Sequence, residues 1–181
     1  MIYLLKWIMG VVLSGTILFA SASDQRIWDF ELPDLEGKNH KLSDNRGKIV
    51  ILDFWAIWCG PCREVFPVLN EFKEKYRDQE VVFWGINLDK KDRKDVQRFV
   101  EKAGIRYPIL HDPEGKTAAL FEIAGLPTLI LIRPDGIRSL VKRGFIKKEQ
   151  GELIKIIDEE LKQWHELQKK ISSKSDKETI E

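Results

Sequence analysis

Cys59 and Cys62 are the chain's two cysteines, and they stand in the order Trp58-Cys59-Gly60-Pro61-Cys62. Thiols at this spacing can form and break a bond to each other. On a helix, residues three apart face the same side with Cα atoms roughly 5 Å apart, inside the window a disulfide tolerates. The pair follows an apolar run, Ile49 to Trp55, and opens a segment of helical periodicity, Cys62 to Tyr76. Cys59 therefore falls at or just before a helix start, where unpaired N–H groups and the positive end of the helix dipole favour a thiolate. Such thiols ionise at pKa values of roughly 3.5–7.5, against about 8.5 for a free cysteine. Cys59 is the expected nucleophile, and Cys62, one turn further in, the expected resolving thiol. Three competing readings are a static disulfide, half of a zinc or copper site, and an inert buried pair. The first closes too short a loop to remove much chain entropy. The second lacks ligands, since no second C-x-x-C exists and His40, His111 and His165 are scattered.

Asp53 is the other group with chemistry in it. It interrupts the apolar run Ile49-Val50-Ile51-Leu52-Asp53-Phe54-Trp55, six residues before Cys59. A carboxyl desolvated there holds its proton more tightly than in water. It can take the proton of Cys62 as that thiol attacks, and return it in the reverse step. The alternative is a buried Asp bonded to backbone or to a water molecule.

The elements that must position these groups read as α/β. Ile49 to Trp55 has the near-continuous apolar character of a strand buried on both faces. Cys62 to Tyr76 places Val65, Leu69, Phe72 and Tyr76 on one helical face, with Pro67 predicting a kink. Val81 to Ile86 is a second buried strand, which completes a βαβ unit. Before them, Asp34 to Lys38 reads as a hairpin turn between Phe30-Glu31-Leu32 and His40-Lys41-Leu42. After them, Asp92 caps a helix with Val96, Phe99, Val100 and Ala103 inward and Gly104 as its stop. Tyr107 to Leu110 is a short strand, and Thr117 to Ala124 a short helix closed by Gly125. Thr128 to Ile132 is a strand, Arg133-Pro134-Asp135-Gly136 a turn, and Ile137 to Val141 its antiparallel return. A last helix from about Lys148 buries Leu153, Ile157, Leu161 and Trp164. Its charged end is either a docking element or a solvated face.

Composition bounds the rest. A chain of 181 residues suits one domain with a short appendage, and 43% apolar and 10% aromatic residues are enough for a core. Thirty basic against 29 acidic residues leave +1, so no global field draws the chain to nucleic acid or a membrane surface. Two cysteines exclude a disulfide-stapled miniprotein. Residues 1–22 carry Lys6 as their one charge, an apolar run from Ile8 to Ala20, and Ala20-Ser21-Ala22 at a signal-peptidase spacing. This describes a cleaved signal peptide or, if Trp7 and its predecessors join the run, a retained N-terminal membrane anchor. Either exports the domain. No cysteine follows the run, which excludes a lipid-modified N-terminus. The boundaries are 1–22 for signal or anchor, 23–171 for the domain, and 172–181 for a polar tail expected to fray.

Asp53-Phe54-Trp55-Ala56 with Trp58-Cys59-Gly60-Pro61-Cys62, and Pro67 five residues beyond, resembles the thioredoxin active site and its kinked helix. Phe30 to Leu35, Leu42-Ser43-Asp44, Arg46-Gly47-Lys48 and the extra stretch between Leu88 and Thr117 resemble the exported TlpA/ResA-type branch of thiol-disulfide oxidoreductases. The resemblance covers about residues 27 to 163. It implies a thioredoxin-like fold, a central mixed β-sheet flanked by helices, with an N-terminal extension and a βα insertion. Gly125-Leu126-Pro127-Thr128 is similar to the family's cis-proline loop. That implies Pro127 against the cysteine pair and a Leu126 backbone offering hydrogen bonds to a substrate strand. Trp58, Gly60 and Pro61 would complete the substrate surface, with Trp58 shielding the thiol and Trp55 in the core. One position departs: many TlpA/ResA-type members carry Glu three residues after the second Cys, where this chain has Val65. Glu64 stands one step earlier, about 100° around the helix, and is expected to face solvent.

The resemblance further implies electrons arriving from a membrane thiol transporter and passing to disulfides of client proteins, apocytochrome c among the candidates. The redox-active Cys59–Cys62 pair would be the only cofactor, with no metal, and Gly60-Pro61 resembles the reducing members. The expected activity is thus reduction of protein disulfides in an extracytoplasmic, oxidising compartment. Two rivals stand beside it. A thiol peroxidase shares the N-terminal segment, although a peroxidatic Cys has no close C-x-x-C partner. A metal-delivery protein would grip copper with Cys59 and Cys62 and catalyse nothing.

Overall fold

The computed structural model describes residues 28–144 and 147–178, with side-chain positions as far as Ser173. The signal or anchor segment, 1–22, lies outside the described residues. A hairpin comes first: β1 (Glu31–Pro33) and β2 (Asn39–Lys41) pair antiparallel. Asp34 shapes its turn, with Oδ1 accepting the N–H groups of Glu36 at 3.1 Å and Lys38 at 2.8 Å. Then come β3 (Ile49–Trp55), α1 (Cys62–Lys75), β4 (Val81–Asn87), α2 (Arg93–Ala103) and β5 (Ile109–His111). The chain continues with α3 (Lys116–Leu120), β6 (Thr128–Ile132), β7 (Arg138–Arg143) and α4 (Gln150–Glu178).

Five strands form one mixed sheet in the order β5-β4-β3-β6-β7. β3, β4 and β5 run parallel, and β6 and β7 are antiparallel to their neighbours. This is the thioredoxin-like α/β architecture. The stretch between Leu88 and Thr117 supplies α2 and β5, which widen the sheet beyond β4.

β3 is the centre, and every one of its side chains is buried. Alternation sends them to two cores. Ile49, Ile51 and Trp55 pack with Val65, Phe66 and Leu69 of α1, Val96 and Val100 of α2, and Leu153, Ile157 and Leu161 of α4. Val50, Leu52 and Phe54 pack on the opposite face with Trp28, Leu32, Leu42 and Phe121. Asp53 shares the face of Ile51 and Trp55, and so looks into the α1 side.

Three sequence expectations need correction. The helix read as Thr117 to Ala124 ends at Leu120. Glu122, at φ 56°, takes the left-handed position usually left to glycine. The Ile123 N–H then reaches the Ala118 carbonyl and the Glu122 N–H the Ala119 carbonyl, the capping pattern that closes a helix. Ala103, read as part of the inner face of α2, is exposed beside its stop at Gly104. Finally, α4 continues past Ile171 to Glu178, where fraying was expected. Ser172 to Glu178 has no Pro or Gly, and Lys and Glu propagate a helix already nucleated. Trp164 is half-buried on that helix.

Gly85 lies opposite Asp53 in the β3–β4 register. A Cβ there would meet Ile109 Cδ1 at 2.5 Å, Trp55 Nε1 at 2.9 Å and Tyr107 Cε2 at 3.1 Å. Three side chains thus occupy the space that a side chain at position 85 would need. Gly85→Ala should therefore destabilise the fold by about 1–3 kcal/mol through overpacking, read as a lower chemical-denaturation midpoint at unchanged slope.

Candidate active site

The site begins where β3 runs out. The Leu88 N–H donates to the Trp55 carbonyl at 3.0 Å, which carries the sheet pairing one residue past the strand end. The chain then turns, and the Cys59 N–H donates to the Ala56 carbonyl at 3.0 Å. Asp89 anchors this turn from the neighbouring loop. Its Oδ2 accepts the Ile57 N–H at 2.7 Å and Asn87 Nδ2 at 2.8 Å, and the His111 ring bonds the Asp89 carbonyl at 3.0 Å. Asn87, Asp89 and His111 are all buried, so a polar network ties the cysteine loop to the ends of β4 and β5.

α1 then starts at Cys62, with Pro61 as its N-cap in helical conformation. Pro suits the first helical turn because its missing N–H would have no partner there. Cys59 and Cys62 are joined in a disulfide with Cα atoms 5.4 Å apart. The Cys62 N–H donates to Cys59 Sγ at 3.2 Å. In the reduced protein the same donor and the helix N-terminus stabilise negative charge on the Cys59 sulfur. Cys62 is fully buried, whereas Cys59 retains 4% exposure, so the outer sulfur is the one a partner can reach. Trp58 beside it is 72% exposed, and Gly60 and Pro61 are also exposed. Glu64 faces solvent, while Val65 is buried in the core.

The Leu126–Pro127 peptide bond is cis. Thr128 pairs with Phe54, so Pro127 stands at the end of β3 that leads into the cysteines. Leu126 packs against the core that contains both sulfurs, and Thr128 Oγ1 closes the loop by donating to the Gly125 carbonyl at 2.7 Å. The structure therefore brings Trp58 to Cys62 and the Leu126–Pro127 loop to one end of the sheet, with Asp53 beneath in the strand.

Asp53 is 1% exposed. Tyr107 Oη donates to its Oδ2 at 2.9 Å, and Oδ1 has no hydrogen-bond partner among the described residues. Trp55 Nε1, on the same face, likewise has none. Burial drives the Asp53 carboxyl up to about 7, against the smaller opposing effect of the Tyr107 hydrogen bond.

Residues 24–138 match the profile of the AhpC/TSA family. The chain belongs to that family. Among its relatives, the thiol-disulfide oxidoreductase ResA of Geobacillus thermodenitrificans is 36% identical over 121 residues, covering 67% of this chain and 69% of that protein. The thioredoxin-like protein YneN of Bacillus subtilis is 29% identical over 162 residues, covering 81% and 95%. A crystal structure from Chlorobium tepidum, described as a thiol:disulfide interchange protein DsbE, superposes with a TM-score of 0.71 at 36% identity, covering 76% of this chain and 96% of that one. With a C-x-x-C disulfide at the start of α1, this AhpC/TSA-family chain is a thiol-disulfide oxidoreductase of the ResA type.

Sequence reasoning missed Tyr107 and Asp89. Tyr107 carried a signal: a phenol buried in an apolar run needs a polar partner, and so does a carboxyl buried in a strand. Asp89 carried a weaker one, as an acid two residues beyond a strand end.

The proton on Asp53 has a thermodynamic consequence. The folded state keeps it up to about pH 7, whereas the unfolded chain releases it near pH 4. Between those values the folded state binds more protons, so stability contributed by this site falls as pH rises and is lost above the folded value. Asp53→Asn should therefore be more stable than the parent at pH 8, by as much as roughly 4 kcal/mol at about 1.4 kcal/mol per pH unit. The gap should narrow toward pH 4 when guanidinium midpoints are compared at the two pH values.

Proposed function

We propose that this oxidoreductase is exported and reduces disulfides in client proteins, cycling between the Cys59/Cys62 dithiol and the disulfide. The observation that carries the reading is the unequal pair: a Cys59 sulfur at the rim, receiving a helix N–H, and a Cys62 sulfur sealed in the core with Asp53 on the same side of the sheet. In the cycle, the Cys59 thiolate attacks one sulfur of the client disulfide and expels the other as a thiolate. The Asp53 carboxylate takes the Cys62 proton. Cys62 then attacks Cys59, which restores the enzyme disulfide and releases the second client thiolate. The client gains two electrons, and the released thiolates take up protons, one of them from Asp53.

Trp58, Gly60 and Pro61 present an exposed surface beside Cys59 for the client segment, and the Leu126–Pro127 loop faces the same end of the sheet. No metal or organic cofactor enters this chemistry. A membrane thiol donor returns two electrons by the same exchange in reverse. Residues 1–22, as signal or anchor, put the domain on the outer face of the cytoplasmic membrane or in the periplasm. Apocytochrome c, whose haem-binding thiols must be reduced, is the client class that the ResA-type likeness favours.

Cys62→Ser should accumulate a mixed disulfide between Cys59 and clients, visible as adducts that disappear with dithiothreitol. Purified parent protein should accelerate insulin reduction by dithiothreitol at least tenfold, and Cys59→Ser should abolish that gain. Faster consumption of hydrogen peroxide than of insulin disulfides, or a reduction potential as oxidising as the roughly −120 mV of a disulfide-forming enzyme, would overturn the reading.

A further inference from the structure

The loop before β5 is tied on one side to α1, the helix of Cys62, and on the other to β4. Asn70, buried on α1 two turns beyond Cys62, donates from Nδ2 to the Gly104 carbonyl at 2.7 Å. Its Oδ1 accepts the Arg106 N–H at 2.8 Å. On the far side of Tyr107, the Pro108 carbonyl accepts the Gly85 N–H at 2.9 Å. Gly85 is the residue in register with Asp53, and its missing side chain is what lets the Tyr107 ring approach. Tyr107 is therefore fixed between the helix of Cys62 and the strand beside Asp53, with its hydroxyl on Asp53 Oδ2.

We propose that Tyr107 is a positioning residue for the redox cycle: by occupying Oδ2 it leaves Oδ1 as the oxygen that receives the Cys62 proton. The inference rests on the assignment of Asp53 as that acceptor. The buried titratable side chains on this face are Cys59, Cys62, Tyr76 and Tyr107, and the charged ones at its edge are the exposed Arg63, over the Phe99 ring, and Lys73, which donates to the Arg106 carbonyl at 2.5 Å. Tyr76 is committed elsewhere, donating to Asp158 Oδ1 at 2.7 Å. The influences on the Asp53 carboxyl are burial and the Tyr107 hydrogen bond, with no charged neighbour among them. Tyr107 is thus the donor that favours the Asp53 carboxylate. Burial and the neighbouring carboxyl push the phenol well above its ordinary range, so it stays protonated and remains a donor throughout the cycle.

The step balances without a further reactant. The proton passes from Cys62 Sγ to Asp53 Oδ1, the Cys62 electron pair forms the bond to Cys59, and the client sulfur leaves with the electrons of the mixed disulfide. The Tyr107 O–H bond is not broken.

The test uses the reduced full chain and 5,5′-dithiobis(2-nitrobenzoic acid). Cys59 releases the first thionitrobenzoate, and Cys62 releases the second as it resolves the adduct. Tyr107→Phe, which removes one oxygen, should shift the pH midpoint of the second phase up by about one unit, slow that phase severalfold at pH 7, and recover the parent rate at high pH. The Asp53 carboxyl, followed by carbon NMR in the oxidised protein, should titrate higher by a similar amount. In an Asp53→Asn background, Tyr107→Phe should add nothing. An unmoved second-phase midpoint and an unmoved carboxyl titration in Tyr107→Phe would overturn the role of Tyr107 alone. If Asp53→Asn itself left the second phase unchanged at every pH, the acceptor assignment would fall, and the inference with it.

Discussion

A carboxyl group buried in the central strand without a counter-charge constrains everything around it. Asp53 sits where parallel and antiparallel pairing meet, between β4 and β6, and its neighbours along β3 are apolar. Ionising it there is costly, and burying it neutral still requires a hydrogen bond. The loop before β5 meets that requirement with Tyr107, and β4 makes room for the phenol with glycine at position 85. The fold thus accepts a cost in stability above neutral pH in keeping a carboxyl in the core. Structural economy alone would have placed a valine in a strand of this kind.

The second constraint is that two sulfurs of the same motif must behave differently. The difference comes from geometry, since the two residues are chemically identical. β3 must end before the loop so that Cys59 falls outside the helix, and α1 must start at Cys62 so that its first N–H points back at the Cys59 sulfur. Asp89 keeps the turn in place by taking the Ile57 N–H, and Cys62 is buried by the same face that buries Asp53. A looser turn would separate the sulfur from the helix N-terminus, whose dipole acts only within about one turn.

Local pattern made the frame of the molecule legible. The apolar runs predict β3 and β6, and the capping residues Asp92 and Gly104 bound α2 as the structure has it. The cysteine pair and the carboxyl in the strand could be read directly, because their residue types contradict their surroundings. What could not be read depends on long-range closure. Tyr107 is 54 residues from Asp53 in the chain, and Asn70 is 36 from Arg106. Neither pairing has a local signature. The end of α3 failed for a different reason: Glu122 adopts a backbone conformation for which glycine is the usual signal, so Gly125 drew the boundary too late.

Where the buried carboxyl stands bears on how the site can evolve and be recognised. TlpA/ResA-type relatives often place a Glu on the helix three residues after the second cysteine, and here that position is Val65, sealed in the core. Glu64 cannot substitute, because one residue turns it about 100° away into solvent. The buried carboxyl on this side of the sheet is that of Asp53 in β3, and the helix position above is apolar. A carboxyl in the sheet is shielded from solvent, so ionic strength should change the acidity of Asp53 little. In the proposed cycle, docking and proton transfer fall on opposite sides of the same disulfide. Trp58 is thus free to vary at the surface while Asp53, Tyr107 and Gly85 stay coupled in the core.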